Sequence, residues 1–241
     1  MTEINSQIEI WHHDLNFIPE NYEKVLNKEE MQKASKYKFD IHRKHFIASR
    51  CFQRNILSRY LGLNASDIIF NYTKHGKPYV ENTNISFNLS NSGEMASIAI
   101  SNNIVLGLDI ELHKEIDDLN AIAKNFFSSR EYAKFFKITP ENKVKCFYEI
   151  WTRKESFIKA IGEGLSYPLD KFEVSFDNDN PPRIKTINDS AKNASDWHLK
   201  SFIFKHNSYL YTGAVTYRNN KQLNLIHNFN SDNLENMFNL N

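Results

Sequence analysis

The chain is poor in cysteine: it has two in 241 residues, Cys51 and Cys146, far apart and each without a second cysteine nearby. That excludes a disulfide framework and a thiolate zinc site, and it suits a reducing cytoplasm. Net charge is almost absent as well. Thirty Lys and Arg stand against 29 Asp and Glu, a formal +1, so any attraction to nucleic acid or to a membrane surface must come from local patches. No apolar run is long enough to span a bilayer, and the opening MTEINSQIEIWHHDL has early acids and no signal-peptide core. The expectation is a soluble, cytoplasmic protein with no nucleic-acid and no membrane partner. Several catalytic signatures are missing too: there is no GxSxG elbow and no HExxH helix, and Gly162-Glu163-Gly164 lacks the lysine and hydroxyl of a P-loop and follows no strand. That triplet reads as the end of a helix and a tight turn.

What is present is a foldable core. Hydrophobic residues make up 41% of the chain and aromatics 13%, enough for one large domain or two small ones. Ile4 to Trp11 alternates as a strand, and Glu29 to Leu61 has apolar side chains at helical spacing up to Gly62. Strands are then predicted at Asp67 to Tyr72, Ile85 to Leu89, Ala96 to Ile100 and Ile104 to Leu112, with HGKPYVENTN and SNSGE as turns. The rhythm repeats loosely in the second half. A helical region spans Leu119 to Phe136, Thr139-Pro140 breaks it, a long helix runs from about Asn142 to Ile161, and strands follow at Phe172 to Phe176, Trp197 to Lys205 and Tyr209 to Tyr217. The fold class is therefore α+β, as two halves of similar length, 1–103 and 104–241, with an Asn-rich tail after Asn219 expected to be poorly ordered. A cleft between such halves is the default ligand site.

Two segments carry the chemistry. In LGLDIE, strand alternation puts Gly107, Asp109 and Glu111 on one face and Leu106, Leu108 and Ile110 on the other. Same-face neighbours lie roughly 6.5–7 Å apart, so both carboxylates can converge on one Mg²⁺ at roughly 2.1 Å, with Gly107 leaving room for a ligand. A half-exposed strand with a solvated acidic face would read the same way. In FYEIWTRKESFIKAIGEGLS, Phe147, Trp151, Lys154, Ile158 and Ile161 form one helical stripe, and Tyr148, Glu155 and Lys159 an adjacent one. An exposed Glu155–Lys159 pair one turn apart would be worth only ~0.2–0.5 kcal/mol, but Lys154 inside an apolar stripe needs a partner or a task. The basic run IHRKHFIASR supplies Arg43, Lys44 and Arg50, and Lys74, His75 and Lys77 surround the glycine of HGKP; such groups can clamp phosphates or simply be solvated. The pair His42 and His45 has zinc spacing but no acidic ligand nearby.

With these residues in view, the chain resembles a 4′-phosphopantetheinyl transferase of the Sfp type. The family's GxDxE is Gly107 to Glu111, its WxxKESxxKxxGxGLS is Trp151 to Ser166, and GKP at Gly76 to Pro78 and FNLSNSG at Phe87 to Gly93 match in the same order. The resemblance covers most of the chain. It implies a pseudo-dimeric fold, two similar α+β halves holding coenzyme A and Mg²⁺ (Mn²⁺ is equally compatible) between them, and transfer of the phosphopantetheine arm to a serine of an apo acyl or peptidyl carrier protein with release of adenosine 3′,5′-bisphosphate. By the same resemblance Asp109, Glu111 and Glu155 are the metal ligands. Arg43, Arg50, Lys77, Ser90, Asn91, Lys154 and Lys159 serve coenzyme A; for the chemistry itself, Glu155, directly or through a metal-bound water, is the candidate base, and Lys159 the candidate for protonating or stabilising the leaving phosphate. Lys124, Phe126, Phe127 and Arg130 match the segment that meets the carrier, with Phe126 and Phe127 equally readable as core. The internal duplication favours a monomer.

One position departs from the family. Where Ser-His-Ser is common, this chain has Ser90-Asn91-Ser92, and an amide can donate a hydrogen bond but cannot carry positive charge. Two rival readings use the same residues: a metal-dependent phosphohydrolase or nuclease, and a non-catalytic coenzyme A or carrier-binding module.

Overall fold

The computed structural model describes residues 7–177 and 179–229. The chain forms two compact units, 7–103 together with 223–229, and 104–222.

In the first unit, strand β1 (Gln7–Asp14) is followed by helices α1 (Tyr22–Val25), α2 (Lys28–Ser35) and α3 (Asp40–Leu61), then by the short strands β2 (Asn71–Tyr72) and β3 (Pro78–Tyr79) and the hairpin β4 (Ile85–Ser92) and β5 (Met95–Asn102). The single helix expected over Glu29 to Leu61 is interrupted at Lys36 to Phe39, where Phe39 is extended (φ −103°, ψ 131°); α2 itself starts on a capping box, in which the Asn27 side chain accepts from the Glu30 N–H and the Glu30 carboxylate accepts from the Asn27 N–H. Of the strand expected from Asp67 to Tyr72, Asp67 ends a 3-10 turn (Ala65–Asp67), residues 68–70 are irregular, and only Asn71–Tyr72 pairs. One face of α3, Phe52, Ile56, Leu57 and Tyr60, packs on Phe87 of β4 and on Ala96, Ile98 and Ile100 of β5.

The segment expected to be a poorly ordered tail contains β11 (Asn224–Phe229), which pairs parallel with β1 from Gln7↔Asn224 to His12↔Phe229. The sheet order is β11-β1-β5-β4. Residues 4–6 of the first expected strand and 230–241 of the expected tail lie outside the described residues.

The second unit opens with β6 (Val105–Leu112), helices α4 (Leu119–Phe126), α5 (Ser129–Phe136) and α6 (Pro140–Ile161), strands β7 (Phe172–Val174) and β8 (Ile184–Ile187), helix α7 (Ala191–Ala194) and the hairpin β9 (Trp197–His206) and β10 (Tyr209–Arg218). Its main sheet has the order β6-β10-β9, and α6 packs along β6 and β10. The helical region expected over Leu119 to Phe136 splits at a capping box, Ser128 with Glu131.

The two units repeat one device. Each has a 22-residue helix, α3 or α6, stopped by a left-handed glycine, Gly62 (φ 66°) or Gly162 (φ 76°). In each, the capping-box glutamate of a short preceding helix forms an ion pair at 2.8 Å with a buried cation of the long one, Glu30 with Arg54 and Glu131 with Lys154. Among the described residues no helix is long and apolar enough to cross a membrane.

Candidate active site

β6 is covered on both faces. Leu106, Leu108 and Ile110 are buried in the core, and Asp109, on the opposite face, is only 2% exposed. The cover on the Asp109 side is α6, and the contact depends on Gly107. A β-carbon there would stand 2.2 Å from the Ala160 nitrogen and 2.2 Å from the Ser156 carbonyl oxygen. The room expected beside Gly107 for a ligand is therefore filled by the helix backbone, and the glycine serves packing.

This close approach brings helix side chains onto the strand's acids. Lys159 Nζ donates to Asp109 Oδ1 at 2.6 Å, so the lysine reaches across to the strand. Glu155, one helical turn earlier, has its carboxyl pushed up to about 7, first by burial, then by the charge on Asp109 and, less, on Glu111, with Lys159 opposing. The three carboxylates thus feel one another. Among the described residues no group of three His, Cys, Asp or Glu side chains lies close enough together to hold a metal ion as it stands. An all-oxygen donor set, with Lys159 on one of its members, still fits a hard cation such as Mg²⁺, which is typically held by one or two carboxylates plus substrate phosphates rather than by a dedicated protein cage. The residues present fit the group.

Lys154 is placed elsewhere. Its ammonium is fully buried and bonded to the Leu169 carbonyl at 2.7 Å, the Phe172 carbonyl at 2.6 Å and Glu131 Oε2 at 2.8 Å, with the Phe172 ring 4.2 Å away. Burial pushes Lys154 down and Glu131 up, and each charge opposes the other's shift. With three donors engaged, and with Arg54 occupying the matching place in the first unit, Lys154 is a structural ion-pair partner with no hydrogen left for a coenzyme A phosphate.

In the first unit Asn91 lies on a pocket of about 260 Å³ that Tyr37, His42, His45, Phe46 and Ser49 also line. Asn91 Nδ2 donates to Ser49 Oγ at 2.8 Å, while the buried Nε2 of His45 has no hydrogen-bond partner. Ser90 is buried within β4. Arg43 is exposed and ion-paired to Asp40, and Arg50 donates to Gln53 Oε1 at 2.7 Å; neither lines the pocket. Lys77 follows Gly76, whose φ of 83° turns the chain so that the Thr73 N–H reaches the Lys77 carbonyl at 2.9 Å. Burial holds the Lys77 ammonium down at about 8.

Of the carrier-facing set, Lys124, Phe127 and Arg130 border a cavity of about 460 Å³. Phe127 is core, packed on Phe135 and Phe147, whereas Phe126 is 38% exposed and meets Trp151 edge-on. His45, Ser49 and Tyr37 were not singled out as ligand-facing by sequence. The histidine spacing marked His45 only as a weak zinc motif, and the turn that brings Asn91 opposite it is a long-range contact.

Family comparisons agree with this geometry. Residues 18–103 match the model for the 4′-phosphopantetheinyl transferase N-terminal region, and residues 105–214 match the 4′-phosphopantetheinyl transferase superfamily. The chain belongs to that superfamily. Among curated proteins it is 30% identical over 193 residues to the 4′-phosphopantetheinyl transferase HetI of Nostoc sp., covering 77% of this chain and 81% of the relative. It is 34% identical over 169 residues to Sfp of Bacillus subtilis, covering 69% and 73%, and 36% identical over 166 residues to gsp of Aneurinibacillus migulanus, covering 69% and 67%. Within the superfamily it is an enzyme of the Sfp type, and the phosphohydrolase, nuclease and non-catalytic alternatives are not favoured.

Proposed function

We propose that this enzyme transfers the 4′-phosphopantetheine arm of coenzyme A to a serine hydroxyl of an apo acyl or peptidyl carrier protein and releases adenosine 3′,5′-bisphosphate. The observation that carries the reading is the meeting of Asp109, Glu111 and Glu155 with Lys159 where α6 lies on β6. The three carboxylates would hold Mg²⁺, or Mn²⁺ with the same donors. A divalent cation bound there supplies neutralisation of the charge that gathers on the pyrophosphate.

The protein's own part is proton management and positioning. The serine Oγ attacks the phosphorus that bears the pantetheine arm, and the bond from that phosphorus to the adenosine-side phosphate oxygen breaks. Glu155, held near neutrality, accepts the serine proton. Lys159, now on Asp109, is 28% exposed and can turn its ammonium to the leaving phosphate and donate to it. In the first unit Lys77, Arg43, Arg50, Ser90 and Asn91 remain the coenzyme A contacts of this reading, and the pocket adds His45 to them. Lys154 leaves the set. Lys124, Phe126 and Arg130 remain the carrier-facing residues, without Phe127.

Two similar units within one chain suit a monomer, and the buried thiols Cys51 and Cys146, pushed up to about 12 and about 11 by burial, suit a reducing cytoplasm. The test is intact-mass analysis of several apo-carriers incubated with the protein, coenzyme A and Mg²⁺. A phosphopantetheine mass increment on the carrier serine is expected; no increment on any carrier, with folded protein, defeats the reading.

A further inference from the structure

Around Glu111 stand three groups that the reaction above leaves without a task. On the side of β6 that faces α6, Gly107, Asp109 and Glu111 alternate along the strand, and the next residue on that side, His113, lies just past its end. α6 runs the opposite way over them. Gly107 meets it at Ser156 and Ala160, and His113 stacks on Tyr148, with ring centroids 4.6 Å apart and planes 14° from parallel.

Both rings are tied down. His113 Nε2 and Thr212 Oγ1 share a hydrogen bond at 2.7 Å, and Thr212 is the residue of β10 directly opposite Glu111. The Tyr148 hydroxyl accepts from the Lys114 N–H at 3.1 Å, which fastens the chain leaving β6 to the helix. The charge on Glu111 is also one of the influences raising the Tyr148 phenol, so the two side chains are within electrostatic reach. Glu111 is therefore bracketed by its cross-strand neighbour, by that neighbour's hydrogen-bond partner and by the tyrosine on which the partner rests.

We infer that Tyr148 and His113 are positioning residues for Glu111, locking the end of β6 so that this carboxylate is aimed at the divalent cation it would share with Asp109 and Glu155. The inference rests on the metal site proposed above. Groups that fix a ligand without touching the ion commonly govern 10–100-fold in metal affinity, and the effect reaches the cation through Glu111 alone.

The test measures metal binding directly, with Mn²⁺ as probe by electron paramagnetic resonance and Mg²⁺ by competition, on the full chain with melting curves alongside. Tyr148→Phe keeps the stacked ring and removes only the hydroxyl; His113→Phe keeps a ring on Tyr148 and removes the link to Thr212. Each is expected to bind Mn²⁺ about 10-fold more weakly than the parent at an unchanged melting temperature. The apparent Mg²⁺ requirement of turnover should rise to match while kcat at saturating Mg²⁺ holds. If one variant fails to fold, the other decides. Parent-like Mn²⁺ affinity in the folded variants, with Glu111→Gln abolishing binding, overturns the inference and leaves the metal site standing. Failure of the parent itself to bind Mn²⁺ or Mg²⁺ with coenzyme A present overturns the metal site and the inference together.

Discussion

Gly107 lies against helix α6 so closely that a β-carbon on it would stand 2.2 Å from the Ala160 nitrogen, and the Lys159–Asp109 ion pair at 2.6 Å forms beside that contact. Packing and chemistry meet at one residue. Gly107→Ala must push strand and helix apart, because the obstruction is backbone and cannot turn aside. The expected loss is at least the ~1–3 kcal/mol typical of overpacking, read as a lowered denaturant midpoint together with weaker transfer activity. A variant with the parent's midpoint and full turnover would show that the helix can yield.

Lys154 separates stability from substrate binding. Lys154→Met leaves Glu131 buried without its cation, a change expected to cost ~3–5 kcal/mol. Adding Glu131→Gln should recover part of that. In the fraction that folds, KM for coenzyme A should match the parent; a clear rise in KM at preserved kcat would return Lys154 to the substrate.

At the proposed metal site, Glu155 should make metal binding depend on pH. Its folded value of about 7 lies above the ordinary 4.5, so between those values the metal-free folded state binds the extra proton. Stability from this group is fully present below 4.5 and is lost as pH rises through about 7. A cation reverses the preference, since it binds the ionised carboxylate and releases the proton. The melting-temperature gain from Mg²⁺ should be larger at about pH 8 than at about pH 5.5, and an equal gain at both would contradict the shared acid site.

Asn91 puts an uncharged amide on the first unit's pocket. Asn91→His would introduce an imidazole that is cationic at low pH, so coenzyme A should bind several-fold tighter near pH 6 than near pH 8. The parent, with an amide at this position, should change less. Calorimetric titration at both pH values checks it, and indistinguishable affinities for parent and variant would remove Asn91 from the site.

Legibility followed the range of the forces involved. The hairpin strands, the stop of α3 at Gly62 and of α6 at Gly162, and the acids on the Gly107 side of β6 could be read because each rests on periodicity or on a local backbone need. The splitting of the second long helical region was also written locally, in Ser128 with Glu131, but as a capping pattern that the continuous apolar spacing masked; the break before α3, at an extended Phe39 without a side-chain cap, carries no such signal. Lys154 was misread because spacing shows that a buried lysine needs a partner without showing which, and Glu131 lies on another helix. Gly107 was misread for a similar reason: the sequence marks open space beside the acids, and only packing decides that α6 occupies it. β11 escaped altogether, since its partner β1 is more than two hundred positions away in the chain.

That last pairing bears on how the protein is made. The unit that contains β1 needs Asn224–Phe229 to complete its sheet, so it is finished only after the whole second unit, 104–222, has been synthesised. All of the chain from β1 through β10 must emerge before the edge of β1 is sealed, and a stop codon just after Gln222 would leave that edge open to strands of other molecules.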